Sequence, residues 1–391
     1  MPEYTGVASP EPLLSRGFVL LSVADLAYFT AVGVAVYTLP LYVTGPLGGS
    51  DRQAGIAFGA FAIAALLLRP LAGRLCDTVG RRPLLVGGSL LAFMGLSLTA
   101  TADSLASVIG LRLLLGVGEA AFFVASLAAL IDIVPAGRMG EATSYNSLGL
   151  YLGLALGPPL GEVLVENLGY DEAWWGAGLL AAAGALVVLL LGETGTRTRP
   201  AGPPAAMIHR PAVPAAVAFF TSLVAVGGFL AFAALQAEDL GIENSSLPLL
   251  CYGLLVVLLR LTLARYMDRH PPLVLGAGAL TTIAAGLTVV ALWAEPAGMY
   301  LGTALLALGV TVSTPAFFTA IFATATTRDR GAASGTASIF LDLGLGGGPI
   351  LLGLVAGAAS LRTAFATAAI VALLGALWAL RVRQVRNVVA L

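Results

Sequence analysis

Twelve apolar runs, most of them about 20 residues or longer, dominate this chain and exclude a water-soluble fold. They fall at 17–43, 54–75, 84–102, 105–131, 142–165 and 173–192, and again at 212–235, 246–266, 272–292, 297–322, 333–357 and 361–381. A helix rises 1.5 Å per residue, so a hydrocarbon core of ~30 Å takes about 20 residues to cross. Inside that core each backbone donor and acceptor must find its partner within the segment, which makes these runs helices. Only 10% of the residues are charged, against roughly 25% in a soluble domain.

The runs repeat as two sets of six. The second and third are joined by a basic turn, Arg69 to Leu84, reading R-P-L-A-G-R-L-C-D-T-V-G-R-R-P-L. Its partner, Arg260 to Leu273, reads R-L-T-L-A-R-Y-M-D-R-H-P-P-L, with the arginine and the aspartate each displaced by 191 positions (69 to 260, 77 to 268). The fifth run carries G-x-x-x-G-x-x-x-G-P-x-x-G at Gly149, Gly153, Gly157, Pro158 and Gly161. The eleventh repeats the centre of it at Gly344, Gly348 and Pro349, again 191 positions on (158 to 349). The expected architecture is therefore an all-α membrane protein of twelve transmembrane helices in two pseudo-symmetric six-helix bundles. One bundle covers 1–192 and the other 212–391, with a Thr-, Arg- and Pro-rich cytoplasmic linker at 193–211. Parallel repeats of this kind occur in transporters whose substrate lies between the halves.

Arginine sets the expected orientation, for every basic residue is arginine. One set of connections holds Arg74, Arg81, Arg82, Arg138, Arg197, Arg199, Arg210, Arg265, Arg269, Arg328 and Arg330, and the opposite set only Arg52 and Arg362. The rule that positive loops stay inside puts the first set and both termini in the cytoplasm, across a cell inner membrane.

Several function classes are excluded. A net charge of −1 offers nothing to nucleic acid. Two histidines, His209 and His270, and two cysteines, Cys76 and Cys251, form no metal-ligand pattern, and no G-x-S-x-G is present. The cysteines fall at different depths, which argues against a disulfide. The reading is a monomer, not an enzyme, with no cofactor and no metal; its partners are a small-molecule substrate, protons and the bilayer.

Seven ionisable residues fall inside the runs: Asp25, Arg69, Arg112, Glu119, Glu162, Arg260 and Asp342. Each costs roughly 2.5–3.5 kcal/mol at a helix centre, so each is expected to face a cavity or a partner. Arg69 and Arg260, near cytoplasmic ends, are expected to snorkel and anchor. Glu162, near an outer end, is expected to be wet. Arg112, Gly116, Glu119 and Phe123 share one face of the fourth run, at i, i+4, i+7 and i+11. Asp25, Glu119 and Asp342 lie at comparable depth and make an expected proton-binding cluster. Burial favours the neutral carboxyl and a nearby guanidinium the ionised one, so Arg112 moving toward or away from such a group would switch it. One proton moving down 100 mV releases roughly 2.3 kcal/mol, enough for about fiftyfold accumulation of substrate.

The residues resemble the major facilitator superfamily over essentially the whole chain. Gly73, Asp77, Gly80, Arg81 and Arg82 meet its G-x-x-x-D-x-x-G-R-R turn, and L-R-L-L-L-G-V-G-E in the fourth run is similar to the motif carrying its buried arginine, here Arg112. The fifth-run G-P-x-x-G resembles the antiporter motif of drug/proton exporters, with Glu162 where a final glycine is usual. The resemblance implies a proton-coupled exporter of a small amphipathic organic molecule, a drug or metabolite, working by alternating access. The rival is an uptake symporter or facilitator for a sugar or organic anion. Expected proton-coupling residues are Asp25, Arg112, Glu119 and Asp342. Expected cavity residues are Tyr28, Phe123, Tyr145, Asn146, Gln236 and Phe317. The expected conformational gate is Gly73, Asp77, Gly80, Arg81 and Arg82 with Asp268, Asp77 resting on the helix start near Ala333, and Gly153, Gly157 and Pro158 sealing the surface between the halves.

Overall fold

A computed structural model describes residues 14–135, 138–195, 208–267, 270–326 and 329–389, and these form twelve α-helices. The first half holds α1 (Arg16–Thr44), α2 (Asp51–Val79), α3 (Arg81–Thr99), α4 (Leu105–Ile133), α5 (Met139–Asn167) and α6 (Tyr170–Leu189). The second holds α7 (Val213–Asp239), α8 (Leu247–Met267), α9 (Pro272–Leu292), α10 (Pro296–Phe322), α11 (Arg330–Ala358) and α12 (Leu361–Val389). Among the described residues, eleven helices are long and apolar enough to cross a membrane, and α8 carries a shorter apolar stretch, Leu247–Leu263. Large apolar side chains such as Leu67, Leu186, Leu258 and Leu374 stay exposed on the outer surface, as a lipid-facing surface requires.

The helices overrun the apolar runs because hydrogen bonding continues where hydropathy stops. α2 starts at Asp51, where the Ser50 backbone N–H donates to Gln53 Oε1 (2.8 Å) in a capping box. It stops at Val79 because Gly80 takes φ +115°, a conformation open to glycine. α12 continues past 381 through Arg381 and Arg383.

Within each half, small residues let helices meet backbone to backbone, the usual device where lipid supplies no hydrophobic drive. On α5, Gly149 faces Ser22 and Asp25, Gly153 faces Phe29 and Thr30, Gly157 faces Gly33, and Gly161 faces Thr38, all on α1. Gly344 and Gly348 of α11 face Leu223 and Val224 of α7 in the same way. This corrects the expectation for Gly153, Gly157 and Pro158: the stripe joins α5 to α1 inside one half rather than sealing one half against the other. The physical reason is that α1 itself offers a glycine, Gly33, opposite Gly157, so the closest approach is made there.

The halves meet through α2 with α11, α5 with α8, and α1 with α7. Gly55 and Gly59 on α2 touch Pro349, Gly353 and Gly346 on α11, and Ala155 on α5 touches Gly253 on α8. The chain thus forms two seams related by the repeat.

Candidate functional site

The buried charges gather where those seams run. On α1, Asp25 is 2% exposed and accepts hydrogen bonds from Ser126 Oγ of α4 (2.8 and 3.0 Å) and Asn146 Nδ2 of α5 (2.7 Å). Ser22 Oγ in turn donates to Asn146 Oδ1 at 3.4 Å. Glu119 on α4 lies in the same electrostatic neighbourhood as Asp25, Arg69, Asp342 and Tyr28. Tyr28 is fully buried, stacks on Phe122 with ring centroids 3.9 Å apart, and turns its hydroxyl toward Glu119. A buried hydroxyl beside carboxylates is a natural relay for a proton or a hook for a ligand.

Arg69 overturns its expected anchoring role. Instead of reaching for the membrane surface, it forks onto Asp342 of α11, Nε to Oδ2 at 2.5 Å and Nη2 to Oδ1 at 2.8 Å. Its guanidinium also lies 4.7 Å from the Phe123 ring centroid. Seven-residue spacing accounts for this: Gly55, Ala62 and Arg69 share the α2 face that meets Gly353, Gly346 and Asp342.

Arg112 is 4% exposed and reaches no carboxylate among the described residues. It donates to the Ala57 and Phe58 carbonyls of α2, each at 3.4 Å, lies over Phe61 at 4.9 Å, and leaves Nη1 unpaired. Glu162 was expected to be wet, and the structure corrects this too. It is 5% exposed and accepts from Tyr37 Oη (3.3 Å), Ser245 Oγ (3.2 Å), Ser246 N (3.2 Å) and Ser246 Oγ (2.6 Å). Ser246 immediately precedes α8, so a carboxylate of one half sits on the positive start of a helix of the other. Arg260 meets Tyr151 of α5, donating to the hydroxyl at 2.6 Å and lying 4.3 Å from its ring centroid.

The remaining expected residues separate. Asn146 and Phe123 join the cluster through Asp25 and Arg69, while Tyr145 is 46% exposed and outside it. Gln236 is buried near the far end of α7, and Phe317 packs on Gly276 and Phe219 inside the second half, so neither borders the cluster. In the basic turn, Arg81 binds Asp132 Oδ2 (2.9 Å) and its backbone N–H binds Glu193 (2.7 Å), while Arg82 binds the Leu189 carbonyl (2.6 Å). Asp77 pairs with Arg81 at 3.7 Å and is half exposed. Gly73 has open space around it, and Gly80 makes the turn. Asp268 lies outside the described residues.

The α2 face that meets α11 continues from Arg69 through Gly73 to Asp77, and there α11 no longer covers it. The halves are therefore closed from Gly55 to Arg69 and parted beyond, toward the arginine-rich end. Sequence reading missed Gly55-x-x-x-Gly59, Tyr37, Ser126, Tyr151 and the two serines on Glu162. The offset of 191 contained the signal for some of them, for Tyr151 is the counterpart of Asp342 and Glu162 of Gly353. Among the described residues no three or more His, Cys, Asp or Glu side chains gather as metal ligands, and both cysteines are free.

The pattern of the Major Facilitator Superfamily matches residues 21–346 and, in a second register, 217–389. An uncharacterized MFS-type transporter of Salmonella typhimurium is 31% identical over 384 residues, covering 91% of this chain and 94% of that one. A second, from Burkholderia mallei, is 28% identical over 389 residues, covering 94% and 93%. Among solved structures, the nucleoside transporter NupG (D323A mutant) superposes with a TM-score of 0.75 at 13% identity. The human organic anion transporter MFSD10 superposes with 0.71 at 19%. Each covers 94% of this chain and 100% of its own, and at such identities the likeness is one of fold.

Proposed function

Because the chain belongs to the Major Facilitator Superfamily, we propose that it is a proton-coupled exporter of a small amphipathic organic molecule. The halves rock about the central cluster, exposing it to one side and then the other. The arginine-rich end, where they are parted, is cytoplasmic in this reading, both termini with it, and the membrane is the cell inner membrane. Residues 1–192 and 212–391 move as the two bodies, joined by 193–211, in a monomer with no catalytic role.

The observation that carries the proposal is the buried group Asp25, Glu119 and Asp342 with a single paired arginine, Arg69, at the level where the halves part. An inward proton neutralises Asp25 or Glu119 once the site faces the acidic side, and substrate leaves. On the cytoplasmic side the proton is released and substrate enters. Arg112, held on α2 carbonyls, supplies fixed positive potential beside Tyr28.

The test uses inside-out vesicles and an accumulation screen of substrates against a knockout. An exporter fills such vesicles only when their lumen is acidic. Asp25→Asn and Glu119→Gln each reduce that uptake to the passive leak while the protein remains folded; wild-type coupling in both overturns the assignment. A second reading, uptake of an organic anion, is favoured by Arg260, which faces no carboxylate among the described residues. It predicts filling of right-side-out vesicles under the same inward proton gradient.

A further inference from the structure

Arg69 and Arg260 occupy one place in the repeat, on α2 and α8, and each points across its seam to the helix of the other half. Their partners are also repeat counterparts, Asp342 and Tyr151 (151 to 342, as 69 to 260). Arg69 has a carboxylate for its fork. Arg260 has only a phenol oxygen, and its Nε is buried with no hydrogen-bond partner. A guanidinium held out of water without a counter-charge is costly, and its planar fork is matched by a carboxylate or another oxyanion.

We propose that Arg260 and Tyr151 form an anion-binding pair that receives the carboxylate of the transported molecule. The acid takes the place relative to Arg260 that Asp342 takes relative to Arg69. One oxygen accepts from Nε and the other from Nη. Tyr151, whose hydroxyl oxygen already accepts from Nη2, has its own O–H free to donate to the same group. The Tyr151 ring under the guanidinium and the buried Tyr252 beside both form an apolar wall for the rest of the molecule. Both members of the pair are only partly buried, and the halves part toward the arginine-rich end on the α2–α11 side, at Gly73, which is the way in for an acid in this reading. The substrate class is thus an amphipathic organic acid. This rests on the reading of the cavity as the transport path, but not on the direction of transport or on protons.

The test is equilibrium binding of 1-naphthoate, with its uncharged amide 1-naphthamide as control, to the purified full chain in detergent without any gradient. Naphthoate binds the wild type, and the amide binds about tenfold more weakly or less, the scale of one charge-assisted pair. Arg260→Gln and Tyr151→Asp each weaken naphthoate by about tenfold or more. In Tyr151→Asp the new carboxylate satisfies Arg260 from within, so the thermal unfolding midpoint stays level or rises while binding is lost. That variant keeps the test sharp if Arg260→Gln folds poorly. No naphthoate binding by the wild type, equal binding of the amide, or wild-type affinity in Tyr151→Asp overturns the proposal. Gradient-driven transport that persists without naphthoate binding removes the anion site alone. Naphthoate binding with no response to a proton gradient removes the exporter reading and leaves the site.

Discussion

The α2–α11 seam and the α5–α8 seam are one design executed twice with different chemistry. At the arginine-poor end the first closes glycine on glycine, Gly55 against Gly353; the second closes Ser246 against Glu162, its repeat counterparts. Midway, Ala62 touches Gly346 and Gly253 touches Ala155, the small pair simply exchanged between the halves. At the level of the cluster, Arg69 finds Asp342 while Arg260 finds Tyr151. The first seam is therefore charge-balanced and tightly fitted from Gly55 to Arg69. The second trades fit for polarity at one end and carries an unbalanced positive charge at the other. A rocking carrier needs one contact that seats reproducibly and one whose strength responds to what is bound, and the two seams divide those tasks in the reading given above.

Five substitutions break or sharpen this contrast. Arg69→Met leaves Asp342 buried and bare and lowers stability by about 3–5 kcal/mol. Arg260→Met leaves no charge behind and costs no more than about 1 kcal/mol; thermal unfolding followed by tryptophan fluorescence compares them, and equal losses erase the distinction. Gly59→Leu drives a side chain into the Gly346 carbonyl and the Ile350 side chain, an overpacking of about 1–3 kcal/mol that stops the first seam from closing. Proteoliposome transport then falls while the purified protein still unfolds cooperatively; retained transport means that the fit at Gly59 is unimportant.

Glu162→Ala strands the Ser246 hydroxyl and backbone N–H and removes a charge from the α8 start, a loss of about 1–2 kcal/mol from the closed state. Labelling of Ser245→Cys by an impermeant maleimide added at the arginine-poor side rises accordingly, and unchanged labelling refutes a closing role. A small effect, comparable to that of Arg260→Met, comes from Tyr151→Phe, which deletes one hydrogen bond to Arg260 but keeps the ring beneath it. A loss of about 0.5–1.5 kcal/mol is expected, read in the same unfolding experiment, and a larger one would make the phenol a structural counterpart of Asp342.

Much of this molecule could be read before any coordinates. Hydropathy located all twelve helices because lipid forces local hydrogen bonding, so each span is legible from its own residues. Internal similarity then located the repeat and, through the offset of 191, the positions that correspond. The sequence also singled out the seven ionisable residues inside the runs, since such a residue in an apolar run is conspicuous by its surroundings in the chain.

What no local pattern contains is the face opposite. Glu162 looked wet because it lies near a helix end; it is dry because Ser245, Ser246 and Tyr37, some 83 to 125 residues away in sequence, cover it. Arg69 looked free to reach the membrane surface, and its partner stands 273 positions along the chain. The glycines of α5 could have lined the boundary between halves or the inside of one, and the position of Gly33 decided for the inside. Burial and pairing depend on which helix arrives at a face. That is set by the packing of all twelve helices together, whereas the existence of each helix is set by the solvent around it.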